Sequence, residues 1–507
     1  MSRFNSKLQP LKTDTKNVIK SKPVKNLAGG HAYSTSDRYE LVSLLLTSFA
    51  KSKFHENADN QLERLTEIAN RMIANGDAEY LAKAALYARR EFGMRSITHA
   101  LASKIGSAVQ ADWKRKFFEV FPYRVDDITE VMAHYFQNYA VGKAGKYRAI
   151  PSAMKAGFAK AFDKFDAYQL AKYRGEGKLV TLVDAVNLLH PKPVDRNREA
   201  FEKLVAGTLK NTDTWEAKVS AAGNEAENAD EFKDLKGNAF ADLLREKRLG
   251  YLALVRNLRN ILETAPEMVE EVCDLLTNES QIAKSLVFPF TYLDAFVELD
   301  KIPVNNKAFA TIKQKVMDTL SKALEISARN IPEFPGNTLV VLDDSGSMTT
   351  GQNPTPAKAG GVFMAMIKSR NPNADTMVFG GTARYCTLKG KNILEMANSL
   401  EFRSGSTNAG TIFQTANKRY DRIIIISDMQ SWANSYSVDT YLNRYKAEYG
   451  ANPRIYSFDL GGHGTTLFPS ENVFLLAGFS DKAITFLTSL ERDKNLLLET
   501  IEKYKIS

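Results

Sequence analysis

The chain has 507 residues, 44% hydrophobic and 25% charged, which is a folded composition rather than a disordered or collagen-like one, with room for about three domains at roughly 150 residues each. Cys273 and Cys386 are the only cysteines, too few for a disulfide framework or a thiolate zinc site. No apolar run reaches the roughly 18 residues that cross a bilayer, and Met1–Val18 holds no secretory core, so the expectation is a soluble cytoplasmic protein with no membrane partner.

The formal net charge is +9, and its excess is uneven. Between Met1 and Asn26 stand Arg3, Lys7, Lys12, Lys16, Lys20, Lys22 and Lys25 against Asp14 alone, two thirds of the whole excess. With little apolar periodicity, residues 1–26 read as a flexible basic arm, either a nucleic-acid contact or a solvated terminus. All but one unit of the +9 lies before Pro332, so a polyanion would bind the N-terminal two thirds.

From Ser36 to about Asn330 the pattern is helical. Leu65, Ile68, Met72 and Ile73 stop before Gly76; Leu81, Ala84, Ala85, Ala88 and Phe92 stop before Gly93; Leu252, Val255, Leu258 and Leu262 form a further stripe. Short amphipathic helices that cannot bury their stripes alone point to an α-helical repeat array of degenerate period. Asn211–Asp234 reads as an acidic loop or a surface helix.

Ile331-Pro-Glu-Phe-Pro-Gly336 blocks helical continuation. Beyond it, apolar runs at Leu339–Leu342, Thr376–Phe379, Ile423–Ile426, Ile455–Phe458 and Val473–Leu476 alternate with helical stretches at Ala357–Lys368, Gly410–Lys418, Val438–Tyr449 and Lys482–Leu490. That alternation predicts a doubly wound parallel sheet covered by helices. The expected partition is a tail at 1–26, a helical-repeat domain at 27–332 and an α/β domain at 333–507.

The first strand run feeds into Asp343-Asp344-Ser345-Gly346-Ser347, at the strand end where ligands bind in such sheets. Gly405-Ser406-Thr407-Asn408 and Asp428 would converge on the same edge. Two carboxylates and three hydroxyls suit a hard cation such as Mg²⁺, with Ser345, Ser347 and Thr407 as direct ligands, Asp343 and Asp428 acting through waters, and one position open to an acidic group of a partner. The pattern resembles the metal-ion-dependent adhesion site of von Willebrand factor A domains. The plainer alternative is a Ser/Gly turn that caps a helix. Catalytic readings fare worse: Ser345 stands where a haloacid-dehalogenase pattern needs a second Asp, no G-x-S-x-G elbow, Walker loop or H-E-x-x-H is visible, and the six histidines lack metal-ligand spacing. No catalytic residue is assigned.

Tyr168-Gln-Leu-Ala-Lys-Tyr-Arg174 followed by Leu182-Val-Asp-Ala-Val-Asn-Leu-Leu-His190-Pro-Lys-Pro193 resembles the TROVE module. Asn26-Leu-Ala-Gly-Gly30, Val255-Arg-Asn-Leu-Arg-Asn260 and Leu476-Ala-Gly-Phe479 add to the likeness. TROVE followed directly by an A domain is similar to the Ro ribonucleoprotein autoantigen family. That resemblance implies a ring of HEAT-like repeats closed by the A domain. It also implies binding of small noncoding Y RNA outside the ring and of single-stranded 3′ ends of misfolded RNA through its hole. RNA contacts would fall on Lys172 and His190, with Arg174 beside them, as donors to phosphate and a base-stacking ring. Glu176 departs from the basic character expected there, and Lys178 would compensate.

The expected protein is therefore a noncatalytic, monomeric RNA-binding ring in noncoding RNA quality control, cooperating with an exoribonuclease. One alternative is a Mg²⁺-dependent protein-interaction scaffold with a purely structural helical part. A metal-dependent phosphoesterase is the other.

Overall fold

The computed structural model describes residues 22–25, 31–34, 36–47, 58–139, 149–209, 215–285, 287, 289–329, 331–350, 355–429, 438–460, 473–477 and 496–507. The Asn26–Gly30 motif, the expected helix at Lys482–Leu490, Gly478 with Phe479, and most of the basic arm lie outside them. The end of that arm differs from expectation: β1 (Lys22–Lys25) pairs antiparallel with β2 (His31–Ser34), Pro23 opposite Tyr33. Both strands of a two-stranded ribbon are edges, where proline's missing N–H is tolerated.

Helices succeed one another from Asp37 to Ala328. Leu65, Ile68 and Met72 are buried in helix Ala58–Ala74, and Leu81, Ala84, Ala85 and Ala88 in helix Ala78–Glu91. Gly76 and Gly93 stop these two helices in the left-handed region, at φ +80° and +69°. In helix Tyr251–Thr264 the stripe starts one residue earlier than expected. Tyr251, Leu254, Val255, Leu258, Ile261 and Leu262 are buried while Leu252 is 38% exposed, because the i, i+3, i+4, i+7 series counts from Tyr251. Asn211–Asp234 holds the helix Trp215–Glu225 and the start of Ala229–Arg245, with a short break at 226–228 between them.

Helices pack on partners one to three along the chain. Ser96–Ala108 meets Ala78–Glu91 and Asp126–Asn138, Lys114–Val120 meets Ser152–Ala161, and Val269–Leu276 meets Lys307–Ala328. This near-neighbour scheme is that of stacked helical repeats. Among the described residues no helix is long and apolar enough to cross a membrane.

The second part is a six-stranded sheet of order β5-β4-β3-β6-β7-β8. Its strands are β3 (Thr338–Asp343), β4 (Asp375–Phe379), β5 (Ala383–Tyr385), β6 (Arg422–Ser427), β7 (Arg454–Asp459) and β8 (Val473–Ala477). β3 runs parallel to β4 and β6, but β5 is antiparallel to β4, so the sheet is mixed rather than purely parallel. The short link through Gly380-Gly381-Thr382 explains this, since a parallel return needs a crossover of a dozen or more residues. Every residue of β3 and β6 is buried. Leu339, Val341, Ile423 and Ile425 pack with Ile412, Phe413, Leu442 and Tyr445 of helices Gly410–Thr415 and Val438–Tyr449, while helix Pro356–Arg370 brings Gly360 against Leu342 and Ile426 on the other face. Burial on both faces is why these strands read as unbroken apolar runs.

Compactness does not follow the partition read from the sequence. One unit comprises residues 37–217 with 498–507, the other residues 1–36 with 218–497. The later helices belong with the sheet because Pro289–Asp300 and Lys307–Ala328 pack on helix Pro356–Arg370. Glu325 also accepts the Ile393 N–H at 2.7 Å, at the start of helix Ile393–Asn398.

Candidate cation site and candidate nucleic-acid interface

β3 and β6 are adjacent, yet the chain leaves β3 for β4 on one side before returning to β6 on the other. Their carboxyl ends therefore form the switch point of the sheet, where α/β folds open a crevice. Asp343 ends β3, and its two oxygens are held from both strands: Ser345 N–H donates to Oδ1 at 2.9 Å and the Ser427 hydroxyl to Oδ2 at 2.6 Å. Asp428 follows β6 directly and is buried, as are Ser345 and Thr407, with Ser347 half-buried. The loop bearing Thr407 is fastened to this corner by Gly346 N–H to Gly405 O at 2.8 Å and Asn408 N–H to Gly380 O at 2.8 Å.

The two adjacent aspartates part company. Asp344 turns to Arg384, 2.8 Å from its Oδ2, and accepts the Arg403 N–H at 3.2 Å. Gly380 makes room for it, because a Cβ there would stand 2.7 Å from Asp344 Oδ1. Ser404 and Met429 are held at φ +56° and +60°, left-handed values that cost non-glycine residues energy and here flank both sides of the crevice.

The donor set is all oxygen. Ser345 and Ser347 Oγ stand 3.2 Å apart, near the about 3.0 Å between adjacent corners of an octahedral shell of about 2.1 Å radius. Burial raises the Asp343 carboxyl well above its ordinary range, and the neighbouring Asp428 charge raises it further, against the hydrogen bonds from Ser427 and Ser345. A divalent cation here would relieve that repulsion. Among the described residues no group of three or more His, Cys, Asp or Glu side chains gathers at one point.

Lys172 is the last residue of helix Ala167–Lys172, which Asp166 caps by accepting the Gln169 N–H at 2.9 Å. Its ammonium lies over two rings, 5.7 Å from Tyr168 and 5.6 Å from Tyr173. Arg124 stacks on Tyr173 as well, at 4.2 Å, and Tyr168 is 50% exposed. An exposed ring beside cations, with a half-buried second ring, is the kind of surface a single strand stacks on. His190 caps the C-terminus of helix Leu182–Leu189 at φ +53°, its N–H on Val186 O, and it is exposed rather than a buried helix-end histidine. A capping box at Thr181 and Asp184 starts that helix, so the loop and both helix ends are locally fixed.

The neighbouring charges are engaged within the protein. Arg174 donates to Leu209 O at 2.8 Å and pairs with Glu176 at 3.1 Å, while Lys178 pairs with Glu130 at 2.6 Å instead of standing free to offset Glu176. Elsewhere lysines close helix ends, Lys114 and Lys313 from buried positions and Lys164 from an exposed one. Lys114 donates to Gly106 and Val109 carbonyls, Lys313 to those of Asp300 and Ile302, and Lys164 to those of Glu119 and Pro122. Partial burial of its ammonium, with Arg90 nearby, pushes Lys164 down to about 8. Net charge thus overstates the cation available to a ligand.

Sequence reasoning missed Ser427, hidden at the end of an isoleucine run, and Gly380. A Gly-Gly pair straight after the Thr376–Phe379 run was the available signal for the second.

A TROVE domain model matches residues 25–236 and 200–335. The RNA-binding protein RO60 of Deinococcus radiodurans is 24% identical over 502 residues, covering 88% of this chain and 91% of that protein. Telomerase protein component 1 of Mus musculus is 22% identical over 355 residues, 54% of this chain but only 13% of that protein. Among solved structures, the Deinococcus radiodurans RO (RSR) protein superposes with a TM-score of 0.58 at 18% identity, covering 90% of this chain and 99% of that one. The fold of helical repeats followed by an A-type α/β sheet is shared with it.

Proposed function

Because the chain belongs to the TROVE-domain family, we propose that it is a Ro-type RNA-binding protein that holds small structured noncoding RNA of the Y class and the single-stranded 3′ ends of misfolded RNA. The observation that carries this reading is the exposed Tyr168 and His190 with the half-buried Lys172, where a cation sits on two rings and an imidazole marks the next helix end. Lys172 would meet phosphate as a point charge, Tyr168 and His190 would stack on or hydrogen-bond unpaired bases, and Arg174 would brace the loop while adding its charge. The D. radiodurans relative bears the name RNA-binding protein, which supports the same class of ligand.

The protein acts in this reading as a noncatalytic cytoplasmic monomer that presents defective RNA to an exoribonuclease. Ser345, Ser347 and Thr407 would hold Mg²⁺, with Asp343 and Asp428 behind them. The bound ion supplies an electrophilic point for an acidic group of a partner. Ser427 and the Ser345 amide hold the Asp343 carboxylate in its orientation.

A second reading, a Mg²⁺-dependent protein scaffold, is favoured by the arrangement of the Asp343 corner alone. Retention of a labelled small structured RNA by Lys172→Ala/His190→Ala and by Asp343→Ala separates the two. The RNA reading expects the double variant to lose affinity and Asp343→Ala to keep it; undiminished binding by the double variant sinks it. Cleavage of the RNA that depends on added Mg²⁺ would overturn the noncatalytic assignment.

A further inference from the structure

The unit formed by residues 37–217 holds a cavity of about 260 Å³ lined by Thr129, Glu130, His134, Gln137, Lys178 and Leu179. The first four lie on helix Asp126–Asn138, with Glu130, His134 and Gln137 on one face at four- and three-residue spacing and Thr129 next to Glu130. Lys178 and Leu179 come from the loop that joins Lys172 to the helix ended by His190. The cavity therefore opens within the very segment that carries the proposed phosphate contacts, and it has room for one planar heteroaromatic base.

Its polar lining is specific. Lys178 Nζ donates to Glu130 Oε1 at 2.6 Å, which sets a donor and an acceptor side by side, and Glu130 Oε2 takes no hydrogen bond from any described residue. Burial works against the Glu130 charge, but the Lys178 hydrogen bond and charge outweigh it and hold the carboxyl ionised. A carboxylate repels phosphate, so the Glu130–Lys178 pair offers a ligand an acceptor beside a donor rather than a phosphate contact. The Watson–Crick edge of guanine carries two adjacent N–H donors, N1 and N2, next to the O6 acceptor. Cytosine and uracil set the O2 acceptor where the second donor would have to be, and adenine has the N1 acceptor in place of the first donor and only a C–H in place of the second. Leu179, 60% exposed, offers an apolar cover for a ring face.

We propose that this cavity takes an unpaired guanine of the bound RNA, Glu130 accepting from N1–H and N2–H, Lys178 donating to O6, and Leu179 lying against the ring. The proposal rests on the RNA-binding reading above. Its test is fluorescence anisotropy of the full chain with labelled single-stranded oligouridylates carrying one central guanosine, inosine or adenosine. The guanosine oligomer binds about tenfold more tightly than the other two, because inosine lacks the N2 amine and adenosine reverses the edge. Glu130→Gln erases this preference without weakening the all-uridine oligomer, whereas Lys172→Ala weakens all of them alike. Equal affinity of the wild-type chain for the guanosine and inosine oligomers overturns the guanine site and leaves RNA binding standing. Failure to bind any oligomer removes the RNA reading and the site with it.

Discussion

Ser427 donates its hydroxyl proton to Asp343 Oδ2 at 2.6 Å, joining the last residues of two neighbouring strands that are 84 positions apart in sequence. The same hydroxyl accepts the Met429 N–H at 2.9 Å, so the strained backbone after Asp428 and the Asp343 carboxylate share one anchor. Serine at this position fixes the orientation of the carboxylate, as hydrogen bonds behind the ligands do around metals.

If the corner binds Mg²⁺, thermal unfolding reports it. At Mg²⁺ a hundredfold above its dissociation constant the wild-type chain gains about 2.7 kcal/mol, and Ser345→Ala/Ser347→Ala gains none. In the metal-free protein Asp343 holds its proton more tightly folded than unfolded, so its contribution to stability falls as pH rises from the ordinary value of 3.8 toward its raised value. Mg²⁺ competes with that proton, and the stabilisation it confers shrinks as pH falls across the same window. Asp343→Asn flattens both trends; a Mg²⁺ response unchanged in that variant would refute the assignment.

Asp127 is the polar anchor of the first helices. Its buried carboxylate accepts from Arg89 Nη2 at 3.0 Å, His99 Nε2 at 2.8 Å, and the Tyr123 and Arg124 amides at 2.8 and 2.9 Å. Burial works to raise this carboxyl, but the His99 hydrogen bond and the charges of His99 and Arg89 prevail and hold it well below the usual range. Its stabilisation is present above the ordinary carboxylate value and is lost as pH falls toward the depressed one. Asp127→Ala leaves Arg89 buried without its partner and costs about 3–5 kcal/mol in chemical denaturation.

Lys172 and Arg174 separate on opposite readouts. Lys172→Ala leaves stability unchanged and lowers the slope of log affinity against log salt by about 0.7 for single-stranded RNA. Arg174→Ala costs about 1 kcal/mol in stability, because the Leu209 carbonyl loses its donor. Denaturant melts paired with salt titrations check both, and a stability loss at Lys172 equal to that at Arg174 would contradict the contrast.

Gly380→Ala drives a methyl to 2.7 Å from Asp344 Oδ1 and 3.3 Å from the Ser406 carbonyl. Overpacking of this kind costs about 1–3 kcal/mol, and here it also dislodges Asp344 from Arg384. A thermal melt within error of wild type would show that the loop carrying Thr407 can retreat.

The amino-acid sequence by itself determined the periodicities. Unbroken apolar runs at Leu339–Leu342 and Ile423–Ile426 announce strands buried on both faces, stripes ending at Gly76 and Gly93 announce short helices, and Asp343-x-Ser-x-Ser347 lands on a strand end because the strand before it is legible. These are local properties, fixed by spacing within a dozen residues. What only the tertiary structure decided is which partner each group meets. Lys178 belongs to Glu130, 48 positions away, Arg174 to the Leu209 carbonyl, Ser427 to Asp343, and Leu252 faces solvent while Tyr251 turns inward. Such pairings follow from strand register and from helices packing across turns, where a shift of one residue rotates a side chain by about 100°, so no local pattern can carry them.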